Sequence, residues 1–319
     1  MQMWVGRARC SRFNAKLELN LLRNFAQMAI LVSKLPLLPQ KMHKIAASAD
    51  LLIHCHRALC YWSAVKPIPD LDGREPECME RSAYTEMAAI DENHWWYRAR
   101  RRVVAEMITQ HIAKRPNLAI AEIGCGTGSN LPMLARFGQL TAVEPDADAR
   151  AYAATRANAT VLEGRLPDGL PLAENSLDLA VMLDVLEHVD DDVAALKAVA
   201  KKLKPDARFL LTVPAMPSLW SPHDDEHHHK RRYTAQTLRS AIEAAGLKIE
   251  MMSYFNTLLL PLIAGVRWMK NLTGSKEVDT GMPSAWLNKL LEAIFAFERH
   301  LIGRLPLPLG VSLVVIVKA

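Results

Sequence analysis

From Leu118 to the end of the chain, short runs that are apolar almost throughout alternate with stretches of helical period. Leu118–Gly124, Leu140–Pro145, Thr160–Gly164, Leu177–Val185, Arg208–Pro214, Leu247–Phe255 and Ser312–Lys318 read as strands. Between them Ser129–Phe137 (closed by Gly138), Ala147–Ala157, Asp191–Lys204 (stopped by Pro205) and Thr234–Ala245 read as helices. Upstream, residues 88–108 read as one further helix. Strands that are apolar on both sides must be covered on both faces, and strands that alternate with helices pair in parallel. The pattern predicts an α/β fold with a doubly wound, mostly parallel sheet. Ligands of such sheets bind at the carboxyl ends of the strands, near the point where strand order reverses.

One loop at such an end is unusually bare. "AEIGCGTGSN" (121–130) follows the first strand and carries Gly124, Gly126 and Gly128. A P-loop needs a Gly-Lys-Ser/Thr ending, and no lysine lies between Lys114 and Lys197. The dinucleotide fingerprint needs a third glycine at 129, where the chain has Ser129. Glu144 ends the next strand, where a carboxylate can accept from both hydroxyls of a ribose. That supports a nucleoside ligand without choosing one. A nicotinamide oxidoreductase is disfavoured by Ser129.

Taken in order, these segments resemble the class I S-adenosylmethionine-dependent methyltransferases. E-x-G-x-G-x-G at 122–128 is similar to that family's first motif, and Glu144 to its acidic second motif. Gly164-Arg165-Leu166 falls where the family contacts adenine. "LDLAVMLDVLEHVDD" is similar to its fourth-strand motif, and "LKPDARFLLTVP" to its fifth strand with the preceding helix. The resemblance covers about residues 90–256 and the last strand. It implies a Rossmann-like, seven-stranded sheet whose last strand is antiparallel and inserted beside the fifth. It implies S-adenosylmethionine as cofactor, held by Glu122, Gly124, Cys125, Gly126, Gly128, Glu144, Pro145, Gly164, Arg165, Leu166 and Asp184. Arg165 departs from the acid that many relatives carry to receive the adenine amino group, since an arginine cannot accept. Backbone groups, or Leu166 packed on the ring, are expected to serve instead. Glycines in the loop let the backbone approach the methionine half of such a ligand.

A sulfonium is already a strong methyl donor, so the protein's task is to align a nucleophile and exclude water. A hydroxyl nucleophile also needs a base, for which histidine is the usual candidate. His188 in "LEHV" follows the fourth strand, and a capping role competes with a catalytic one for it. Asp184 competes similarly between the cofactor's amino group and a helix start. "SPHDDEHHHKRRYT" (221–234) follows the fifth strand. Similar methyltransferases carry a His-Arg-Tyr-Thr-like pattern there that shapes the substrate pocket. His223, His229, Arg232 and Tyr233 are therefore candidates on the substrate side, against a plain helix-entry role. The four histidines fit no compact HExxH spacing and neighbour arginines, so no metal is expected. "HWWYRARRR" (94–102) resembles the segment that covers the cofactor in related enzymes; the alternative is a packing tryptophan pair beside a solvated basic face.

The function implied is methyl transfer to a small-molecule or lipid-like acceptor, at oxygen or carbon. The alternative is a non-catalytic cofactor-binding scaffold or sensor. The net charge of +5 is uneven: residues 1–70 hold about ten Lys/Arg and three Asp/Glu, leaving the remainder slightly acidic. No nucleic-acid partner is expected, because the fourth strand is not followed by the Asn/Asp-Pro-Pro-aromatic signature of DNA amino-methyltransferases. Residues 1–78 read as a basic extension ending in a Pro/Gly/acid linker, or as an upstream artefact of a start near Met79; 79–319 read as the methyltransferase domain. Five cysteines without a CxxC pair argue against a disulfide framework, and a reducing cytoplasm is the default. The longest uncharged run, Met251–Val266, is shorter than the roughly 20 residues that span a bilayer. The insert 257–305 is strongly apolar, expected either as a lid on the core or as a surface for peripheral contact with lipid at the membrane's inner face.

Overall fold

The computed structural model describes residues 81–114, 116–273 and 281–318, so the expectations for 1–78 lie outside the described residues. Two helices lead, α1 (Arg81–Ile90) and α2 (Trp95–Met107, continued by a π-helical turn Ile108–Ile112). The alternation follows: β1 (Leu118–Ile123), α3 (Leu131–Leu134), β2 (Gly138–Glu144), α4 (Ala147–Ala153), β3 (Thr160–Glu163), β4 (Leu177–Leu183), α5 (Asp192–Ala200), β5 (Leu203–Pro214), α6 (Pro222–Glu226), α7 (Ala235–Ala244) and β6 (Lys248–Phe255). Then come α8 (Leu260–Thr273), α9 (Ala285–Phe297) and β7 (Ser312–Lys318). From Pro261 to the end of the helix, α8 falls in a second unit of the chain and stands by itself here.

The seven strands form one sheet in the order β3-β2-β1-β4-β5-β7-β6. All pairings are parallel except those of β7, which lies antiparallel between β5 and β6. Side chains of a strand alternate faces. Yet Leu179, Ala180, Val181 and Met182 of β4 are all fully buried, as are Leu313 to Val317 of β7 to within 1%. Both faces are therefore covered, as continuous apolar strands require. On one face α5 and α7 contribute Leu196, Val199, Leu238 and Ile242 to a core with Phe209, Leu211 and Val315.

Several boundaries differ from the sequence pattern for identifiable reasons. The helix over 88–108 is broken at 91–94, where Asp91 is fully buried and receives both terminal nitrogens of Arg156, at 2.6 and 2.9 Å. His94 then caps α2, accepting from the Trp96 amide at 3.3 Å. The helices after β1 and β2 are only four and seven residues long. Helix α5 stops at Ala200, before Pro205; β5 already starts at Leu203 and carries Pro205 in a bulge, with pairing to β4 jumping from Leu203 to Arg208. A bulge is where a strand tolerates a residue without an N–H. Gly138 does not close a helix. It is the first residue of β2, and a Cβ there would stand 2.0 Å from the Leu118 carbonyl oxygen at the start of β1.

Helix α9, in the insert, packs on α2. Trp95 meets Phe295 edge-on at 6.1 Å, the Trp95 amide donates to Asn288 Oδ1 at 2.8 Å, and Glu292 accepts from Arg98 and Arg102 at 2.8 and 2.7 Å. This half of the insert is thus a brace for α2. Because the obstacle at Gly138 is backbone, Gly138→Ala is expected to lower stability by about 2–4 kcal/mol, read as a fall in the urea midpoint; an unchanged midpoint contradicts the close strand contact.

Candidate functional site

The glycine loop leaves β1 at its carboxyl end, beside β4. Gly124, Gly126 and Gly128 all have positive φ (71°, 53° and 80°). At Gly124 a side chain is excluded twice, by that conformation and by Val185, whose Cγ2 would lie 2.6 Å from an added Cβ. At Gly126 the nearest heavy atom among the described residues is Tyr84 Cε1, at 3.8 Å, an ordinary contact that leaves the backbone uncrowded. Cys125 is buried and free, with its thiol pushed well above its ordinary range by burial.

Under the loop lies Glu122, 1% exposed. Its Oε1 accepts from Asn130 at 2.8 Å; its Oε2 is buried without a donor among the described residues. Burial raises its pKa to about 7, with the Asn130 hydrogen bond opposing. Glu144 ends β2 with its carboxylate surrounded by donors. Oε2 accepts from the Gly126 amide at 2.8 Å, and Oε1 from the Asp146 amide and the Tyr84 hydroxyl, each at 3.2 Å. Burial raises its pKa, and those three bonds work against the rise. Pro145 gives its carbonyl to Arg150 at 2.6 Å.

Beyond β3, Gly164 is demanded by packing: a Cβ would sit 2.5 Å from Pro171 and 2.7 Å from Val143. Arg165 is exposed, and Leu166 packs against the core ahead of a cis bond to Pro167. At the end of β4, Asp184 has φ 55° and pairs with Nη1 of Arg100. Arg100 is itself buried in α2, 4.5 Å over the Trp96 ring. Two partners thus escaped the sequence pattern. Tyr84 covers Glu144 from α1 and Arg100 covers Asp184 from α2, because residues 60 and 84 positions apart meet only in the fold.

The histidine-rich segment folds around one buried carboxylate. Asp224, fully buried in α6, accepts from the Ser221 amide (2.9 Å), from His229 Nδ1 (2.8 Å) and from Arg232 Nε (2.7 Å). Arg232 also donates to the Ala215 carbonyl at 2.9 Å, tying the segment to the end of β5. Tyr233 is buried with its hydroxyl on Asp192 at 2.9 Å; burial first, then Asp192, pushes that hydroxyl far above its usual range. The Lys230 amide donates to the Glu187 carbonyl at 2.9 Å, which seats His229 over the turn after β4. The His188 and His229 rings meet edge-on at 4.8 Å. His223 stacks obliquely on His227 at 4.2 Å and lies 6.2 Å from His229. Burial, and then the neighbouring histidines, lower the pKa of His188 to about 3, so it is neutral at physiological pH. The fold thus brings His188, His223 and His229 together and turns Tyr233 toward α5.

Residues 121–211 match a family model described as a methyltransferase domain. Over 187 residues the chain is 27% identical to a protein of Mycolicibacterium smegmatis named as a "Probable S-adenosylmethionine-dependent methyltransferase", covering 57% of this chain and 70% of that one. A protein of the same description from Mycobacterium tuberculosis is 26% identical over 183 residues, 56% of this chain and 65% of the relative. Among solved structures, a chain from the Haloferax volcanii complex of the Trm112 methyltransferase activator with a methyltransferase superposes with a TM-score of 0.50. It is 16% identical and covers 75% of this chain and 94% of that one, a likeness of fold.

The folded Glu122 binds its proton more tightly than the unfolded carboxyl, about 7 against 4.5. That preference favours the fold below pH 4.5 and is lost as pH rises through 7. Glu122→Gln is therefore expected to be more stable than the parent at pH 8, by on the order of 3 kcal/mol, and equal to it at pH 4. Melting curves at the two pH values check this.

Proposed function

Since this chain belongs to the class I S-adenosylmethionine-dependent methyltransferases, we propose that it methylates oxygen or carbon of a small-molecule or lipid-like acceptor. The reading is supported by the carboxyl edge of the sheet, where a glycine loop follows β1, Glu122 and Glu144 are buried, and the turn after β4 meets a histidine cluster.

The residues present fit the cofactor. Glu144 already binds three donors, and the hydroxyl of Tyr84 occupies one acceptor position that a ribose hydroxyl would take. Glu122 offers a buried oxygen with no donor among the described residues, suited to an ammonium group or an ordered water. The bare backbone at Gly126 leaves room for close approach. When bound, S-adenosylmethionine supplies the methyl group on a sulfonium. In this reading Glu144 orients the sugar, Glu122 and the loop hold the methionine half, and Asp184 receives the amino group once Arg100 yields. Gly164 and Leu166 shape the adenine end, with Arg165 pointing to solvent.

On the other side, His188 and His229 engage the acceptor's reacting group, and Asp224 fixes the His229 tautomer from Nδ1. His223 completes that wall. Arg232 and Tyr233 act as positioning residues, since both side chains are spent on holding the segment to β5 and α5. The lipid-like option is supported by large apolar side chains left exposed in the insert, Trp286 at 42%, Leu305 at 64% and Leu309 at 52%. No helix among the described residues is long and apolar enough to cross a membrane, so contact with lipid in this reading is peripheral.

Glu144→Ala is expected to weaken S-adenosylmethionine binding at least about 100-fold, the loss of two bonds to a charged acceptor. Calorimetry on the purified protein measures it, and unchanged affinity removes the cofactor reading. Tyr84→Phe frees the same carboxylate from its internal donor and is expected to tighten binding about fivefold, the worth of one exchanged hydrogen bond. Release of S-adenosylhomocysteine with a cell extract tests turnover. Flotation with liposomes tests the lipid option, which protein confined to the aqueous fraction would exclude.

A further inference from the structure

Where the turn after β4 meets the histidine-rich segment, the methyl-transfer reading uses His188 and His229 but gives no role to Glu187 beside them. Glu187, His188 and His229 each offer one ligand atom, and these atoms all lie within 4.8 Å of one another. His229 Nε2 is 4.0 Å from Glu187 Oε1. We propose that these three side chains bind a divalent first-row transition metal ion, with Zn2+ as the reference ion.

Four observations carry the assignment. Glu187 is fully buried, and apart from its own backbone amide neither carboxylate oxygen has a donor among the described residues. A buried carboxylate left in that state is costly unless a cation completes it. Second, both histidines are held from behind. His229 uses Nδ1 on Asp224 at 2.8 Å, and His188 has a backbone hydrogen bond to His227. A carboxylate or carbonyl on the far nitrogen is the outer support that metal-bound imidazoles have, since it fixes which nitrogen is free to ligate. Third, the adjacent arginines are committed elsewhere, Arg100 to Asp184 and Arg232 to Asp224. Three carboxylates, Asp184, Asp224 and Glu187, thus share two guanidinium groups, and Glu187 is the one without a direct guanidinium pair among the described residues. The repulsion that the sequence pattern suggested is answered within the network itself. Fourth, the Lys230 amide on the Glu187 carbonyl and the Arg232 bond to Ala215 keep the segment over the turn.

Zinc–nitrogen and zinc–oxygen bonds of about 2.0–2.2 Å require the three atoms to draw together by about an ångström. Two ligands sit on half-buried histidines in loops, where that movement costs little. Three protein ligands leave at least one coordination position open. At that position an oxygen of the acceptor would bind and release its proton to solvent water more readily, because a divalent cation lowers the pKa of a coordinated hydroxyl. This last step rests on the methyl-transfer reading; metal binding itself does not.

The test uses the full chain, stripped with EDTA and titrated with Zn2+ in the absence of cofactor and acceptor. One ion is expected to bind with a micromolar or lower Kd, and at least 100-fold more weakly in Glu187→Gln and His229→Ala. Co2+ in place of Zn2+ is expected to give visible ligand-field bands without thiolate charge transfer, as nitrogen and oxygen ligands require. Should those two variants fail to fold, half-buried His188→Ala must show the same loss while its affinity for S-adenosylmethionine stays within twofold. No stoichiometric Zn2+ binding by the parent, a sulfur signature with Co2+, or equal affinity in His188→Ala overturns the proposal. Because cofactor binding is read separately, failure of the metal site and failure of the methyltransferase reading remain distinguishable.

Discussion

Strand order reverses between β1 and β4, and everything at the site follows from that reversal. The chain winds outward through β2 and β3, returns to lay β4 on the other side of β1, and continues to β5. Connections from β1 and β4 therefore leave in opposite directions, and a crevice opens above their carboxyl ends. Val185 closes its floor so tightly against Gly124 that no side chain fits between them. The glycine loop, the acid of β2 and the turn after β4 converge on one edge because the sheet has one such place.

That edge concentrates negative charge in a poorly solvated setting. Glu122, Glu144, Asp184 and Glu187 come from three different strands or the turns that follow them. Burial works against ionisation of Glu122, Glu144 and Glu187. The N-terminal helices answer part of this charge: Tyr84 donates to Glu144 and Arg100 pairs with Asp184. Helix α9 in turn braces α2 through Asn288 and Glu292. The insert before the last strand, remote in sequence, thereby helps to set the electrostatics of the crevice. Any ligand that uses these acids must displace the internal donors, so its affinity is a difference between two sets of hydrogen bonds.

The histidine-rich segment shows a second way of handling buried charge. Asp224 gathers Ser221, His229 and Arg232 into one satisfied network, while Glu187, a few ångströms from His229, has no outside donor among the described residues. Folded proteins rarely tolerate that asymmetry without a use for it.

The strand pattern, the glycine loop and Glu144 were legible in the sequence because each is written in neighbouring residues. A run buried on both faces must be apolar throughout, a loop at positive φ selects glycine, and a strand end can be counted from its start. The antiparallel β7 followed from resemblance. Boundaries were less legible where a distant partner decides them: Gly138 opens β2 because of the Leu118 carbonyl, and the break at 91–94 is held by Arg156. Local composition thus determined the elements, their alternation and the edge that carries the candidate site. Only the tertiary structure decided that Tyr84 and Arg100 cover the acids, that Tyr233 faces α5, and that Glu187 and His188 meet His229. Those are contacts between segments about 40 to 80 residues apart, and no local propensity encodes a distance that the closing of the sheet alone creates.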